Sequence, residues 1–258
     1  MSKVNVLGVH IDPVRVEDVL EIIDTAISGH GRALIAHVHI TGLNQAYELD
    51  WLYNFLNQAD LVTCDGMGVK LGGRMLGSDI PQRFTLADWI CQLIELAQAR
   101  HYTLFFLGNP PGSAEKAAAR LQVTYPGLQV VGTAHGFFNK SPGNPESEAV
   151  LEQINQARPN ILLVGFGMPV QEQWLKDNWG GIQANVAMTC GALFEYVAGD
   201  LKRGPAWMTD HYLEWLARLL ISPRRYTRRY VRDNPLFLYR IFKQRFSGDI
   251  ANFKPNNK

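Results

Sequence analysis

Ala59-Asp60-Leu61-Val62-Thr63-Cys64-Asp65-Gly66-Met67-Gly68-Val69 is the stretch on which the fold turns. Residues 60–64 form a short apolar run of β type that ends directly in a carboxylate and two glycines. A strand this apolar along its length is buried on both faces, as in a parallel sheet. Working outward, short apolar runs alternate with helical periods almost to residue 200. Upstream, 4–9 reads as a strand, and Asp12-Pro13 supplies a cap and first-turn proline for a helix burying Val16, Val19, Leu20, Ile23 and Ile27. A strand over 33–40 and a helix over 44–57 follow. Downstream, Thr85 and Asp88 have the spacing of a capping box that opens a helix to about residue 100. Strands at 102–107, 128–131, 161–165 and 185–188 alternate with helices near 112–124, 146–157 and 170–178, and the polar stretch 139–146 reads as a mobile loop. This alternation predicts an α/β fold: a doubly wound, mostly parallel, Rossmann-like sheet covered on both faces.

The chain has 258 residues, 47% of them hydrophobic and 19% charged, the balance of a packed globular protein. Twenty-five Lys and Arg against 24 Asp and Glu leave a net charge of +1, which excludes a wholesale nucleic-acid coat. That neutrality hides an asymmetry. Residues 1–201 hold 12 basic and 20 acidic side chains, whereas 202–245 hold 11 basic and 3 acidic. The expected organisation is therefore an α/β catalytic domain over 1–201, a basic, aromatic-rich helical appendage over 202–246, and a flexible tail over 247–258. Three cysteines, Cys64, Cys91 and Cys190, have no metal-ligand or CxxC spacing, so a reducing compartment is the simplest home. The N-terminal apolar run is too short for a signal peptide, and no window approaches the roughly 20 apolar residues of a membrane span. A cytoplasmic protein with at most peripheral membrane contact is expected.

Three strand ends carry loops suited to chemistry, since ligands of a doubly wound sheet bind outside the carboxyl ends of its strands. Asp65 stands at the first, either as a general base facing a crevice, its pKa raised by desolvation, or as a simple helix N-cap. The second, Leu107-Gly108-Asn109-Pro110-Pro111-Gly112-Ser113, offers backbone N–H groups to a phosphate but is no Walker loop. The third, Gly165-Phe166-Gly167-Met168-Pro169-Val170-Gln171-Glu172, begins like a dinucleotide fingerprint. Val170 replaces its third glycine, however, and no acid lies roughly 20 residues on, so plain tight-turn use is the better reading, with Gln171 and Glu172 free to point into the cleft. His37 and His39 alternate along a strand and are read as facing different sides, not as sharing a metal. No Asp-x-Asp pair is present to hold a divalent ion on a diphosphate.

After residue 201, Arg alternates with Trp, Tyr and Phe. Such helices suit an anionic lipid surface, each basic group adding on the order of 1 kcal/mol. A nucleic-acid patch and a solvated helical hairpin remain alternatives.

Taken together, these motifs resemble the bacterial WecG/TagA/CpsF glycosyltransferases over about residues 4–240. The resemblance rests on Ala59-Asp60-Leu61 with Asp65-Gly66-Met67-Gly68, on Arg83-Phe84, on Phe106-Leu107-Gly108, and on His135-Gly136-Phe137-Phe138. It continues through Gly165–Trp174, Lys202-Arg203-Gly204-Pro205, Leu213–Leu219 and Pro223-Arg224-Arg225. It implies an inverting transfer of an N-acetylmannosamine-type sugar from a UDP-sugar to a polyprenyl-diphosphate-linked saccharide, at the cytoplasmic membrane face, in cell-surface polysaccharide or teichoic-acid synthesis. By the same resemblance Asp65 is the base, with Arg83 and Gln171 beside it in the cleft. Thr41, Asn44, Gly108, Gly136, Phe137, Gly167 and Glu195 are implied substrate contacts, Phe137 stacking on uracil. Arg218, Arg225 and Arg228 are the candidates for neutralising the diphosphate, so neither a cofactor nor a divalent metal is expected. Monomer and homo-oligomer are equally compatible with the pattern.

The chain departs from the family pattern in four places, one of them Tyr212-Leu213-Glu214-Trp215 where Gly-Leu-Glu-Trp is common. Thr41 stands one place early for the usual Thr-x-Asn, Phe194-Glu195 replaces Phe-Asp, and Ser222 replaces the acid before the Pro-Arg pair. Two rival readings are a nicotinamide-dependent oxidoreductase, from Gly165-x-Gly167, and a non-catalytic lipid-binding scaffold.

Overall fold

In the computed structural model, residues 2–201 and 229–255 are described. The chain begins with a two-stranded antiparallel ribbon, β1 (Val4–Val6) and β2 (Val9–Ile11). The single strand expected over 4–9 is thus two. Leu7 and Gly8 both turn with positive φ (+54° and +88°), the turn type whose twist matches a hairpin. Leu7 gives no sequence signal for this, because a leucine seldom adopts that conformation.

Helix α1 (Val16–Ser28) leads to β3 (Ala33–Val38). The helix expected over 44–57 is two, α2 (Ile40–Glu48) and α3 (Asp50–Gln58), broken where Leu49 adopts extended angles. Then come β4 (Leu61–Cys64), α4 (Met67–Met75), α5 (Leu86–Arg100), β5 (Thr103–Gly108), α6 (Ser113–Thr124) and β6 (Gln129–Ala134). Helix α7 (Pro145–Ala157), β7 (Ile161–Gly165), α8 (Val170–Asn178), β8 (Val186–Thr189) and α9 (Leu193–Ala198) complete the alternation. A last helix, α10, spans Asn234–Arg245.

The main sheet has six strands in the order β4-β3-β8-β7-β5-β6, every neighbouring pair parallel, so the doubly wound α/β architecture is present. The chain leaves β3 toward one edge and reaches β8 from the other, so a crevice opens above the carboxyl ends of these central strands. One core lies on each face. The ribbon, α2, α3, α4, α8 and α10 cover one, and α1, α5, α6 and α9 cover the other.

The second and third segments of the expected organisation, 202–246 and 247–258, need correction where they are described, 202–228 lying outside the described residues. Helix α10 is no detached appendage: Phe237 (1% exposed) and Ile241 sit in the same core as the ribbon and α4. Gly72 makes room for them, since a Cβ there would lie 2.7 Å from the Phe237 ring. The polar residues of that face are satisfied as well. Gln244 accepts from Leu7 N (2.8 Å) and donates to Asn5 O (3.0 Å), and Arg240 donates to Asn44 O (2.8 Å) while stacking on Tyr47. Beyond it, Asn5 Nδ2 donates to Ala251 O and Phe253 O, and Pro255 is buried, so 247–255 is packed chain and not a free tail.

Candidate active site

Above β3, β4, β7 and β8 lies a cleft of about 210 Å³. Asp65 forms part of its wall. The strand ladder runs one residue past β4 to place it, Asp65 N donating to Val38 O at 2.8 Å. Gly66 then turns the chain sharply into α4 with φ +96°, an angle that a side chain would strain. Asp65 is partly buried and Oδ1 accepts from the Thr85 hydroxyl at 2.9 Å. Thr85 is the N-cap of α5, yet its hydroxyl makes no cap bond. The Thr85–Asp88 capping box expected from spacing is therefore dissolved: the threonine holds Asp65, and Asp88 pairs with Arg83 at 2.7 Å. Arg83 stands two residues before Thr85, next to the cleft wall at Phe84, with its guanidinium on Asp88.

Gln171 lines the cleft but is not free to reach a ligand with its oxygen. Oε1 accepts from Gly167 N and Gly191 N, both at 3.2 Å, and Nε2 donates to Glu172 Oε1 at 2.8 Å. It clamps the loops after β7 and β8 together, which makes it a positioning residue. Glu172, expected to face the cleft with it, is fully buried instead, and burial pushes its carboxyl up to about 7. Gly167 does line the cleft.

Thr41 and Asn44 lie elsewhere. Both are on α2, where Thr41 Oγ1 donates to Asp233 Oδ2 (2.9 Å) and Asn44 Nδ2 to Asp233 O (2.7 Å). They hold the C-terminal segment, and neither lines the cleft. The positions at the end of β3 belong to His37, within the strand, and His39, one residue past it, and both line the cleft. Residues two apart on a strand share a face, so the reading that set the two histidines on different sides is wrong. His39 also caps α2, Nδ1 accepting from Gly42 N at 3.1 Å. Among the described residues no group of three or more His, Cys, Asp or Glu side chains is placed to hold a metal ion.

Gly108, Gly136 and Glu195 meet around a residue that sequence reasoning passed over. Asn109 donates from Nδ2 to Gly165 O and Gly191 O (2.7 Å each) and accepts at Oδ1 from Glu195 N (3.2 Å) and at its carbonyl from Gly136 N (2.8 Å). One buried asparagine thus ties together the loops after β5, β6, β7 and β8, the loop after β6 through its main-chain carbonyl. Its signal is a φ of +58°, a conformation for which asparagine is enriched. Phe137 stands out at 69% exposure beside this hub. Arg218, Arg225 and Arg228 lie outside the described residues.

Comparison with known proteins agrees with the geometry. The model of the Glycosyl transferase WecG/TagA/CpsF family matches residues 4–250. Among similar proteins is the N-acetylglucosaminyldiphosphoundecaprenol N-acetyl-beta-D-mannosaminyltransferase of Staphylococcus aureus strain NCTC 8325, 28% identical over 244 residues, covering 94% of this chain and 93% of the relative. The protein of the same name from strain MW2 is 27% identical over the same shares.

Proposed function

The chain belongs to the WecG/TagA/CpsF glycosyltransferase family, and from that premise we propose that it moves an N-acetylmannosamine-type sugar from a UDP-sugar to a polyprenyl-diphosphate-linked saccharide, with inversion. Family membership makes the protein a glycosyltransferase, which sets aside the oxidoreductase and the scaffold. The observation that carries the rest is the position of Asp65: a carboxylate at a strand end, held by Thr85, on the wall of a cleft at the switch point of a doubly wound sheet. At about 210 Å³ the cleft is below the roughly 300–1,000 Å³ of drug-sized ligand sites, which suits one sugar-sized portion of the donor.

In the proposed step Asp65 takes the proton of the acceptor hydroxyl as its oxygen attacks the anomeric carbon. The bond from that carbon to the diphosphate breaks on the opposite face, so configuration inverts and UDP departs. Gln171 and Asn109 keep the surrounding loops in place during the displacement. We assign neutralisation of the departing diphosphate to Arg218, Arg225 and Arg228, without a divalent ion.

The acceptor lipid implies work at a membrane. Among the described residues no helix is long and apolar enough to cross one. The outward face of α10 supports peripheral attachment: opposite the buried Phe237 and Ile241 it exposes Leu238, Tyr239, Phe242 and Phe246, with Lys243 and Arg245 beside them. An apolar stripe flanked by cations lies in the headgroup region of an anionic bilayer. The transfer reading is tested by offering UDP-sugars with a short-chain polyprenyl-diphosphate GlcNAc acceptor. Acceptor-dependent UDP release and a product of inverted anomeric configuration are expected, and a retained configuration contradicts the single displacement.

A further inference from the structure

Beneath the cleft floor, buried polar groups are left without partners. His37 is only 9% exposed, and both its ring nitrogens are shielded from solvent and make no hydrogen bond. Thr63, directly opposite His37 in the β3–β4 ladder, is fully buried with its hydroxyl unpartnered. Trp89 of α5 lies parallel to the His37 ring at 6.4 Å, and its Nε1 is unpartnered too. Three polar side chains thus meet in otherwise apolar surroundings that include Phe84 and Leu86. Each buried polar group left unmade costs about 1–3 kcal/mol, so four such atoms in one place need an occupant. Of the three residues, His37 is the one that reaches the cleft wall beside Asp65.

We propose that His37, backed by Thr63 and Trp89, is the specificity-determining residue for the transferred sugar, reading an uncharged hydroxyl or acetamido group of a neutral hexosamine. The proposal rests on the transfer reading above and names the donor class. A neutral imidazole offers one donor and one acceptor, the complement of a hydroxyl or an amide. Burial pulls the His37 imidazole down to about 4, so it carries no positive charge at neutral pH. Among the described residues lining the cleft there is no Lys or Arg, whereas Asp65 brings a carboxylate. A uronic acid donor would set its own carboxylate against that of Asp65 in the same small cleft; a neutral N-acetylhexosamine meets no such repulsion.

The test uses the full-length wild type, His37→Phe and His37→Asn, assayed for UDP release with UDP-N-acetylhexosamines and UDP-N-acetylhexosaminuronates, and for UDP binding by calorimetry. Phenylalanine keeps the stack on Trp89 but removes both nitrogens, and asparagine keeps one donor and one acceptor. Expected are at least a tenfold preference of the wild type for neutral donors, a donor KM raised at least tenfold by His37→Phe, partial rescue by His37→Asn, and UDP affinity within twofold throughout. A wild type that prefers the uronates, a His37→Phe donor KM within twofold of wild type, or UDP affinity lost in step with donor affinity overturns the proposal. Should the variants not fold, the ring-nitrogen resonances of His37 in the wild type decide. They are expected to move on addition of a neutral UDP-sugar and to stay in place with UDP, and an identical response to both overturns the assignment. Failure of the transfer reading looks different: the wild type then releases no UDP from any donor, and this proposal falls with it.

Discussion

Replacing Glu172 by glutamine stabilises the protein, and does so only above mildly acidic pH. Glu172 is fully buried; Oε1 accepts from Gln171, and Oε2 has no hydrogen-bond partner. Burial raises the carboxyl from 4.5 to about 7, against the smaller opposing effect of the Gln171 bond. Below pH 4.5 the folded and unfolded chains both hold the proton, and the residue adds no pH dependence. Between 4.5 and about 7 the unfolded chain has released it and the folded chain has not, so stability falls as pH rises. Each pH unit of that window is worth about 1.4 kcal/mol, giving a loss of about 3 kcal/mol that is complete above pH 7. Glutamine keeps the oxygen that receives the Gln171 bond and never ionises. Urea denaturation of both proteins from pH 4.5 to 8.5 should therefore give curves that coincide at the acid end and separate by about 3 kcal/mol at pH 8, or about 6–12 °C in Tm for a chain of this size. A separation independent of pH, or a wild type more stable than Glu172→Gln at pH 8, refutes the reasoning.

Three further outcomes are expected. Phe237→Ala should cost about 3–5 kcal/mol in the main unfolding transition, because the ring fills the core against Gly72; an unchanged midpoint would show that α10 is not part of that core. The triple change Tyr239→Ser, Phe242→Ser, Phe246→Ser removes exposed rings only and should leave Tm within about 2 °C. It should nonetheless cut sedimentation with anionic vesicles at least tenfold, each ring contributing about 1 kcal/mol by partial burial, and full retention of vesicle binding removes α10 from the membrane account. Addition of EDTA should leave UDP release unaltered, and a large loss restored by magnesium would transfer the leaving-group role from the arginines to a metal.

What the sequence discloses depends on how directly a residue's pattern reports its surroundings. Apolar runs such as 161–165 coincide with β7 residue for residue, because a strand buried on both faces has no alternative reading. Asp65 is legible in part: a charge at the end of such a run must leave the core, for the crevice or for the cap of the next helix, and Gly66 takes the cap position. The ribbon turn at Leu7 and the helix break at Leu49 are not legible, since neither carries a glycine or proline at the decisive backbone angle. Helix α10 hides its membership of the core behind Arg240 and Gln244, which read as surface residues but bury their polar ends in hydrogen bonds across the chain. Thr41 and Asn44 mislead through pattern alone: the Thr-to-Asn spacing falls a few residues into α2, and Asp233, not a sugar, receives both side chains. The histidines at this end of the sheet are legible only as a metal question, because the lack of partners at the His37 ring appears only once Thr63 and Trp89 are packed around it.

The position of Asp65 bears most of the account, and Asp65→Asn tests it with little change in shape. Steady-state UDP release with the polyprenyl-diphosphate acceptor should fall by about 10²–10⁴-fold, the usual contribution of a general base, while calorimetry gives a UDP affinity within twofold of wild type. Turnover at the wild-type rate in that variant would contradict the assignment of Asp65 as the base.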